Sequence, residues 1–512
     1  MKISNPSPIA RAFSHAVTLL FILGLSVSPS PGQQHKTLIV IFDGMRADYI
    51  TPGLMPELWA FRESASRAER HHSVFPTVTR VNSASFATGS YPANHGLLGN
   101  AVYFPKVNPG KATGTSHGDL VRIAASESGK LLTGTSIGEV LDKHGERMMV
   151  FSSGTSGQAF LQNHTVGKGA IVNPGLILPE SFRAKVVADL GAPETNATGL
   201  NKHKWITDAL IRYSLTAGGP LVSTIWFSDP DGAGHKGGIG SDELKEALAF
   251  VDAQFGRIIR HLEAGGLRNQ YNIIATTDHG FVTYTGKQGL TDLLIGAGLK
   301  KDKDSDDVVL AEGAVYVKNR DQATIKKIIE VLHKTPWVGA VFTKGVQPGS
   351  MQGWVPGTFS FESVHYHHTE RTGDILAAVN WNDNPNEWGY AGSDFSVGTA
   401  GHGGSSPYEI GIRLFAQGPD FKKGYVSELP SSIIDIVPTV LSFYGYSIPA
   451  DMNGRVLYEL LQKGKSEDTV PNHDVLTTEA DYPWGTYKLR LDISFLGRSR
   501  YFNFSATERI VK

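Results

Sequence analysis

Three stretches of this chain run apolar for five or six residues and then stop at an acidic or histidine-bearing turn. Residues 37–42 (TLIVIF) lead straight into Asp43. Residues 223–227 (STIWF) lead through a short turn to Asp231 and His235, and residues 272–276 (NIIAT) lead to Asp278-His279-Gly280. A fourth, more mixed run at 410–416 follows the Gly-rich turn Gly401-His402-Gly403-Gly404. Continuous apolar runs of this length are what strands buried on both faces require. Between the second and third lies a helical pattern. Ser241 is a natural N-cap, Leu244, Leu248, Val251, Phe255, Ile258 and Leu262 recur at helical spacing, and Gly265-Gly266 stops the run. The alternation predicts an α/β fold, a mostly parallel central sheet with helices on both faces. Residues 308–318, 321–334 and 339–344 read strand, helix, strand, and are expected to form a small inserted α+β subdomain at about 305–370. Residues 101–219 are rich in Gly, Ser and Thr, and read as loops and helices that shape a substrate pocket.

Composition narrows the function. The 48 basic and 49 acidic residues leave a net charge of -1, so no electrostatic argument favours nucleic acid or an anionic membrane surface as a stable partner. The apolar share of 40% and charged share of 19% exclude wholesale disorder. The chain has no Cys, which excludes disulfides, thiolate metal sites and a Cys-derived nucleophile. Near the N-terminus, Lys2 and Arg11 precede the apolar run 16–27 (AVTLLFILGLSV), and small residues follow up to Gln33. This reads as a secretory signal over residues 1–32, too short for a membrane span, and no later segment is long and apolar enough to be one. The expectation is an exported protein, bacterial periplasmic or secreted.

Ligands of open α/β sheets bind at the carboxyl ends of the strands. Asp43, Asp231, His235, Asp278, His279 and His402 all lie at strand ends or in a Gly-rich turn, so segments distant in sequence are expected to converge there. Such donors without thiolates suit divalent metals, zinc first and manganese second. Six of them serve two ions with three protein ligands each, leaving open positions for substrate or water. Thr79, in Phe75-Pro76-Thr77-Val78-Thr79-Arg80, precedes a helix-compatible run. A hydroxyl beside a metal there can ionise near neutral pH and attack phosphorus, though a Thr before a helix also serves as a cap. Asn100 follows in a turn, where it can donate to a phosphoryl oxygen or simply shape the turn. The tract His365-Tyr366-His367-His368 reads as a rim cluster rather than a third metal site.

The blocks IFDGMRADY, FPTVTRVNSASFATGSYPANHGLLGN, DPDGAGH, TTDHG and GTAGHGG, with the later GPDFKKG and DIVPTVLSFYG, resemble the alkaline phosphatase superfamily. They are most similar to its nucleotide pyrophosphatase/phosphodiesterase branch, over residues 36–461 and patchily through 101–219. The resemblance implies an alkaline-phosphatase-like catalytic domain over 33–512. It implies Thr79 as nucleophile and as a ligand of the metal held by Asp43, Asp278 and His279. Asp231, His235 and His402 would hold the second metal, and Asn100 would contact a non-bridging phosphoryl oxygen. An aromatic commonly follows the nucleophile in nucleotide-cleaving members, and here that position is Arg80. It can grip a carboxylate or second phosphate of the substrate, or point away and pair with an acid. The expected activity is hydrolysis of a small phosphate diester or pyrophosphate through a phospho-threonine. The alternatives are a phosphate monoesterase, a phosphonoacetate-hydrolase-like enzyme with the same site, or a non-catalytic metal-dependent binding protein.

Overall fold

The strand Lys36–Phe42 stands in the middle of a ten-stranded sheet, and its side chains divide between two cores. Leu38, Val40 and Phe42 enter one hydrophobic cluster, and Ile39 and Ile41 the other, as the two-residue period of a strand demands. The computed structural model describes residues 34–193, 199–464 and 470–512; the signal-like segment 1–32 lies outside them. Val222–Phe227 and Tyr271–Thr276 flank the central strand and run parallel to it, with Thr37 opposite both Val222 and Asn272. Helices Pro56–Ser64, Asn201–Tyr213 and Asp242–Ala264 cover one face through Leu58, Phe61, Ile206, Leu210, Leu248 and Phe255. Helices Thr79–Thr88, Ile137–Lys143, Ser156–Gln162 and Ile436–Phe443 cover the other. This is the α/β fold that the apolar runs predict. The long helix starts at Ser241, whose side chain accepts from Leu244 N, and closes at Gly265.

Two features differ from the sequence reading. The stretch 101–219 contributes strands as well as loops and helices. Met148–Ser152 and Ala170–Asn173 extend the parallel sheet, and Leu176–Leu178 returns antiparallel. These strands are three to five residues long, too short for periodicity to separate them from segments of buried helix. The run after the GHGG turn, Gly411–Gln417, is antiparallel to both of its neighbours. Its beginning therefore lies at the edge where the parallel strands end. A turn before it and turns after them meet at one place.

Residues 308–379 carry a five-stranded sheet in the order Phe359–Ser360, Val338–Thr343, Ile375–Val379, Ala314–Val317, Val308–Ala311, with helix Gln322–Lys334 packed on it. Three C-terminal strands, Asn472–Tyr482, Gly485–Leu496 and Ser499–Val511, form an antiparallel sheet. Its Tyr487, Leu489, Leu491, Ile493 and Phe502 share a core with Phe342 and Phe359 of the five-stranded sheet.

Candidate active site

Asp43 leaves the central strand directly and is almost fully buried. Gly44 follows at φ 69°, and a Cβ there would lie 3.0 Å from Asp231 Cβ, so only Gly lets the two turns approach. Gly44 N donates to Asp278 Oδ1 at 3.2 Å, and Trp226 Nε1 donates to Asp43 Oδ2 at 2.9 Å. These donors set two of the carboxylates in direction. His279 Nε2 lies 3.5 Å from Asp43 Oδ1 and 3.3 Å from Asp278 Oδ2. On the other side, Asp231 Oδ1 lies 3.3 Å from His235 Nε2 and 3.2 Å from His402 Nε2. The rings of His279 and His402 stack at 3.6 Å, which joins the two groups.

The three imidazoles share one orientation. His235 Nδ1 faces Ala400 O at 2.9 Å, His279 Nδ1 faces Gly280 O at 3.0 Å and His402 Nδ1 faces Thr77 O at 2.7 Å. A carbonyl accepts only, so each Nδ1 carries a proton and each Nε2 is turned to the centre. Asp231 Oδ1 and Asp278 Oδ2 are buried there without a hydrogen-bond partner. Acceptors converging on acceptors fit a cation between them. Asp43, Asp278 and His279 form one group able to hold a metal ion, and Asp231, His279 and His402 another. His279 serves both by distance, and His235 joins the second through Asp231.

The electrostatics match this reading. Burial, with Asp278 and Asp231 nearby, holds the Asp43 carboxyl well above the usual range, and burial pushes Asp278 up to about 8. Burial, with His402 beside it, holds His279 well below an ordinary imidazole. Burial works against charge on His402, but Asp231 outweighs it and raises the ring to about 9. The metal-free cluster thus retains protons near neutrality, which divalent cations would displace on binding.

Thr79 opens a ten-residue helix in which every residue but Arg80 is buried. Its Oγ1 is 3.2 Å from His279 Nε2 and 3.4 Å from Asp43 Oδ1. Asn82, one turn on, holds the preceding loop: its Oδ1 accepts from Val74 N, and its Nδ2 donates to the carbonyls of Val74 and Val78. Asn100 Oδ1 accepts from Arg80 N at 3.0 Å, which sets the amide orientation, and among the described residues Nδ2 has no acceptor. Asn100 also lines a cavity of about 520 Å³ beside His235 and His402. The cavity runs beneath the five-stranded sheet and is walled mainly by Phe75, Leu290, Leu310, Trp337, Tyr366 and Phe395. Its acids are Asp394 and Glu312, and its lining has no Lys or Arg. The Glu312 carboxylate reaches across from the inserted sheet and accepts from Asn100 N at 3.1 Å. The sequence offered one signal for it, an acid beside Gly313 at a hairpin turn, but no spacing to tie it to Asn100. The His365–His368 tract sits apart from these ligand groups: His365 stacks on Tyr91, and Tyr366 donates to Leu98 O.

Residues 37–387 match the family model described as Type I phosphodiesterase / nucleotide pyrophosphatase. The chain belongs to this family. It is a hydrolase of phosphate esters of the phosphodiesterase and nucleotide pyrophosphatase type, in a metal-dependent family, and carries candidate metal-ligand groups. It is 26% identical to the bis(5'-adenosyl)-triphosphatase ENPP4 of Bos taurus over 442 residues, which is 84% of this chain and 82% of that one. It is 23% identical to the ectonucleotide pyrophosphatase/phosphodiesterase family member 7 of Mus musculus over 470 residues, 89% of this chain and 94% of the other. Among solved structures, murine ectonucleotide pyrophosphatase / phosphodiesterase 5 shares the fold with a TM-score of 0.62 at 19% identity, covering 83% of this chain and all of that one. Among the described residues no helix is long and apolar enough to cross a membrane.

Proposed function

We propose that this chain is an exported two-metal hydrolase that cleaves phosphate diester or pyrophosphate bonds through a phospho-threonine at Thr79. The observation that carries the reading is the place of the Thr79 hydroxyl, 3.2 Å from His279 Nε2 and 3.4 Å from Asp43 Oδ1, at the meeting point of the two acceptor clusters. Asp43, Asp278 and His279, with Thr79 Oγ1, would hold one cation, and Asp231, His235 and His402 the other. Zinc suits this set of imidazoles and carboxylates. Such cations supply the positive charge that lets an alcohol ionise near neutral pH and that offsets charge on the apical oxygens.

Thr79 gives up its proton, its oxygen bonds to phosphorus, and the bond to the leaving oxygen breaks, that oxygen taking up a proton as it departs as an alcohol or phosphate. Water then attacks the phospho-threonine, takes the phosphoryl group and returns a proton to Thr79. Asn100 Nδ2, free because Oδ1 is engaged by Arg80 N, donates to a non-bridging oxygen where charge builds. Arg80 binds substrate beyond the reacting phosphoryl group. The apolar cavity beside His235 and His402 favours a phosphate that carries an organic substituent, which a diester has. Similarity to the bovine bis(5'-adenosyl)-triphosphatase ENPP4 supports pyrophosphate bonds as substrates. The apolar run at 16–27 supports export and action in the periplasm or outside the cell.

The test is turnover of a nitrophenyl phosphate diester and a monoester by the chain from Gln33, loaded with zinc. A diester preference of several orders of magnitude is expected. Thr79→Ala should lose that turnover by orders of magnitude while still binding zinc, and a chelator should abolish activity that zinc restores. Full turnover by Thr79→Ala would overturn the covalent reading. Unchanged activity after verified metal loss would overturn the two-metal one.

A further inference from the structure

Arg80 directly follows the nucleophile candidate, yet its guanidinium serves none of the acids around it. Among the described residues it forms no ion pair. Its Nε donates to Thr115 Oγ1 at 3.1 Å, its Nη2 donates to Thr155 Oγ1, and Nη1 has no hydrogen-bond partner. Hydroxyls aim a guanidinium without neutralising it. Glu312 accepts from Asn100 N instead. The guanidinium keeps its charge and one nitrogen for a ligand.

The surroundings hold that side chain in one place. Thr115 Oγ1 donates to Asn100 O at 2.6 Å, and Asn100 Oδ1 accepts from Arg80 N. Arg80, Thr115 and Asn100 are therefore one network. Neighbouring residues on a helix diverge by about 100° around its axis. The guanidinium thus stands on the flank of Thr79 rather than over its hydroxyl. The apolar cavity takes no part of it: Asn100 lines that cavity and Arg80 does not. Among the described residues the apolar cavity is lined without Lys or Arg, and Arg80 stands outside it.

We propose that Arg80, aimed by Thr115 and Thr155, is a subsite for a second oxyanion of the substrate, a carboxylate or a terminal phosphate carried outside the scissile phosphoryl group. The proposal rests on Thr79 being the nucleophile. It makes Arg80 a specificity residue for the substrate arm outside the scissile phosphoryl group.

Three nitrophenyl phosphodiesters test it, with a plain phenyl, a carboxyl-bearing or a phosphate-bearing second arm. Each is assayed on wild type, Arg80→Gln, Arg80→Lys and Thr115→Val/Thr155→Val. Arg80→Gln is expected to lose about 10–100-fold in kcat/KM on one or both anionic substrates, the worth of a charge-assisted hydrogen bond. The loss on the phenyl substrate should be clearly smaller than on the anionic ones. Arg80→Lys should recover part of the loss, because it restores charge but not the fork. The double Thr variant should show a smaller loss with the same selectivity. The anionic arm that suffers tells carboxylate from phosphate. Equal loss on all three substrates would place Arg80 on the scissile phosphoryl group and overturn the subsite, as would no loss on any. Should wild type turn over none of them, the Thr79 reading fails separately. Calorimetric binding of the two anionic diesters to wild type and Arg80→Gln then decides the subsite, and equal affinities for both would overturn it.

Discussion

Asp43 shows how a single donor can set the chemistry of a carboxylate. It is buried, crowded by Asp278 and Asp231, and pushed toward its protonated form, yet Trp226 Nε1 holds one oxygen and leaves the other facing Thr79 and His279. Trp226→Phe removes that donor while keeping a ring in the core. Zinc affinity is expected to fall about 10–100-fold, the usual cost of losing an outer partner of a metal ligand; titration against a competing chelator measures it. Asn100→Ala removes the free Nδ2 donor. It should lower kcat about 10²–10³-fold if the amide meets a developing charge. A change confined to KM would mean that the amide only positions substrate. The sequence marked Asp43 and Asn100, but not the direction of their side chains, and it did not mark Trp226. The free end of Asn100 follows from a bond to Arg80 N, and no local pattern announces that bond.

Among the elements, the helix Thr79–Thr88 depends on one buried amide. Asn82 satisfies Val74 N, Val74 O and Val78 O, and so shapes the loop that delivers Thr79. Asn82→Ala would leave these backbone groups short of partners in a buried place. We expect a loss of about 1–3 kcal/mol in stability together with slower turnover, measured by urea unfolding and kcat on the same sample. Element type was legible where the pattern was long. The helix from Ser241 and the continuous strands read directly because burial imposes a period on many residues. The sequence reading did not include the C-terminal sheet, although Tyr487, Leu489, Leu491 and Ile493 alternate along its middle strand. The short strands at Met148–Ser152 and Ala170–Asn173 were not legible, because a run of four or five residues cannot be told from a segment of buried helix by periodicity.

At the scale of the whole molecule, burial of acids between layers couples stability to pH. Asp394 lies beside the apolar cavity, and its carboxyl is pushed up to about 8 by burial and by Glu409. An unfolded Asp titrates near 3.9, so between roughly pH 4 and 8 the folded protein holds a proton that the unfolded chain has lost. Stability therefore falls as pH rises through that window. Asp394→Asn keeps an acceptor for Ser396 N and cannot ionise. The urea midpoint of wild type should be lower at pH 8 than at pH 5, and Asp394→Asn should narrow the difference. An unchanged difference would remove Asp394 as its source.

Residue order alone settled which strands would be buried on both faces, and that Asp43, Asp231, His235, Asp278, His279 and His402 stand beside strands, because burial and periodicity act on neighbours along the chain. The three-dimensional arrangement decided the rest. Gly411–Gln417 runs antiparallel, which brings His402 to the edge where the parallel strands end. His279 stands between the two ligand groups, Glu312 arrives from an inserted sheet to meet Asn100, and Arg80 finds hydroxyls rather than an acid. Each of these facts joins segments 20 to more than 200 residues apart, as with Arg80 to Asn100 and Asn100 to Glu312. Local patterning carries no information about such pairings; they follow from which layers pack and which strand edges meet.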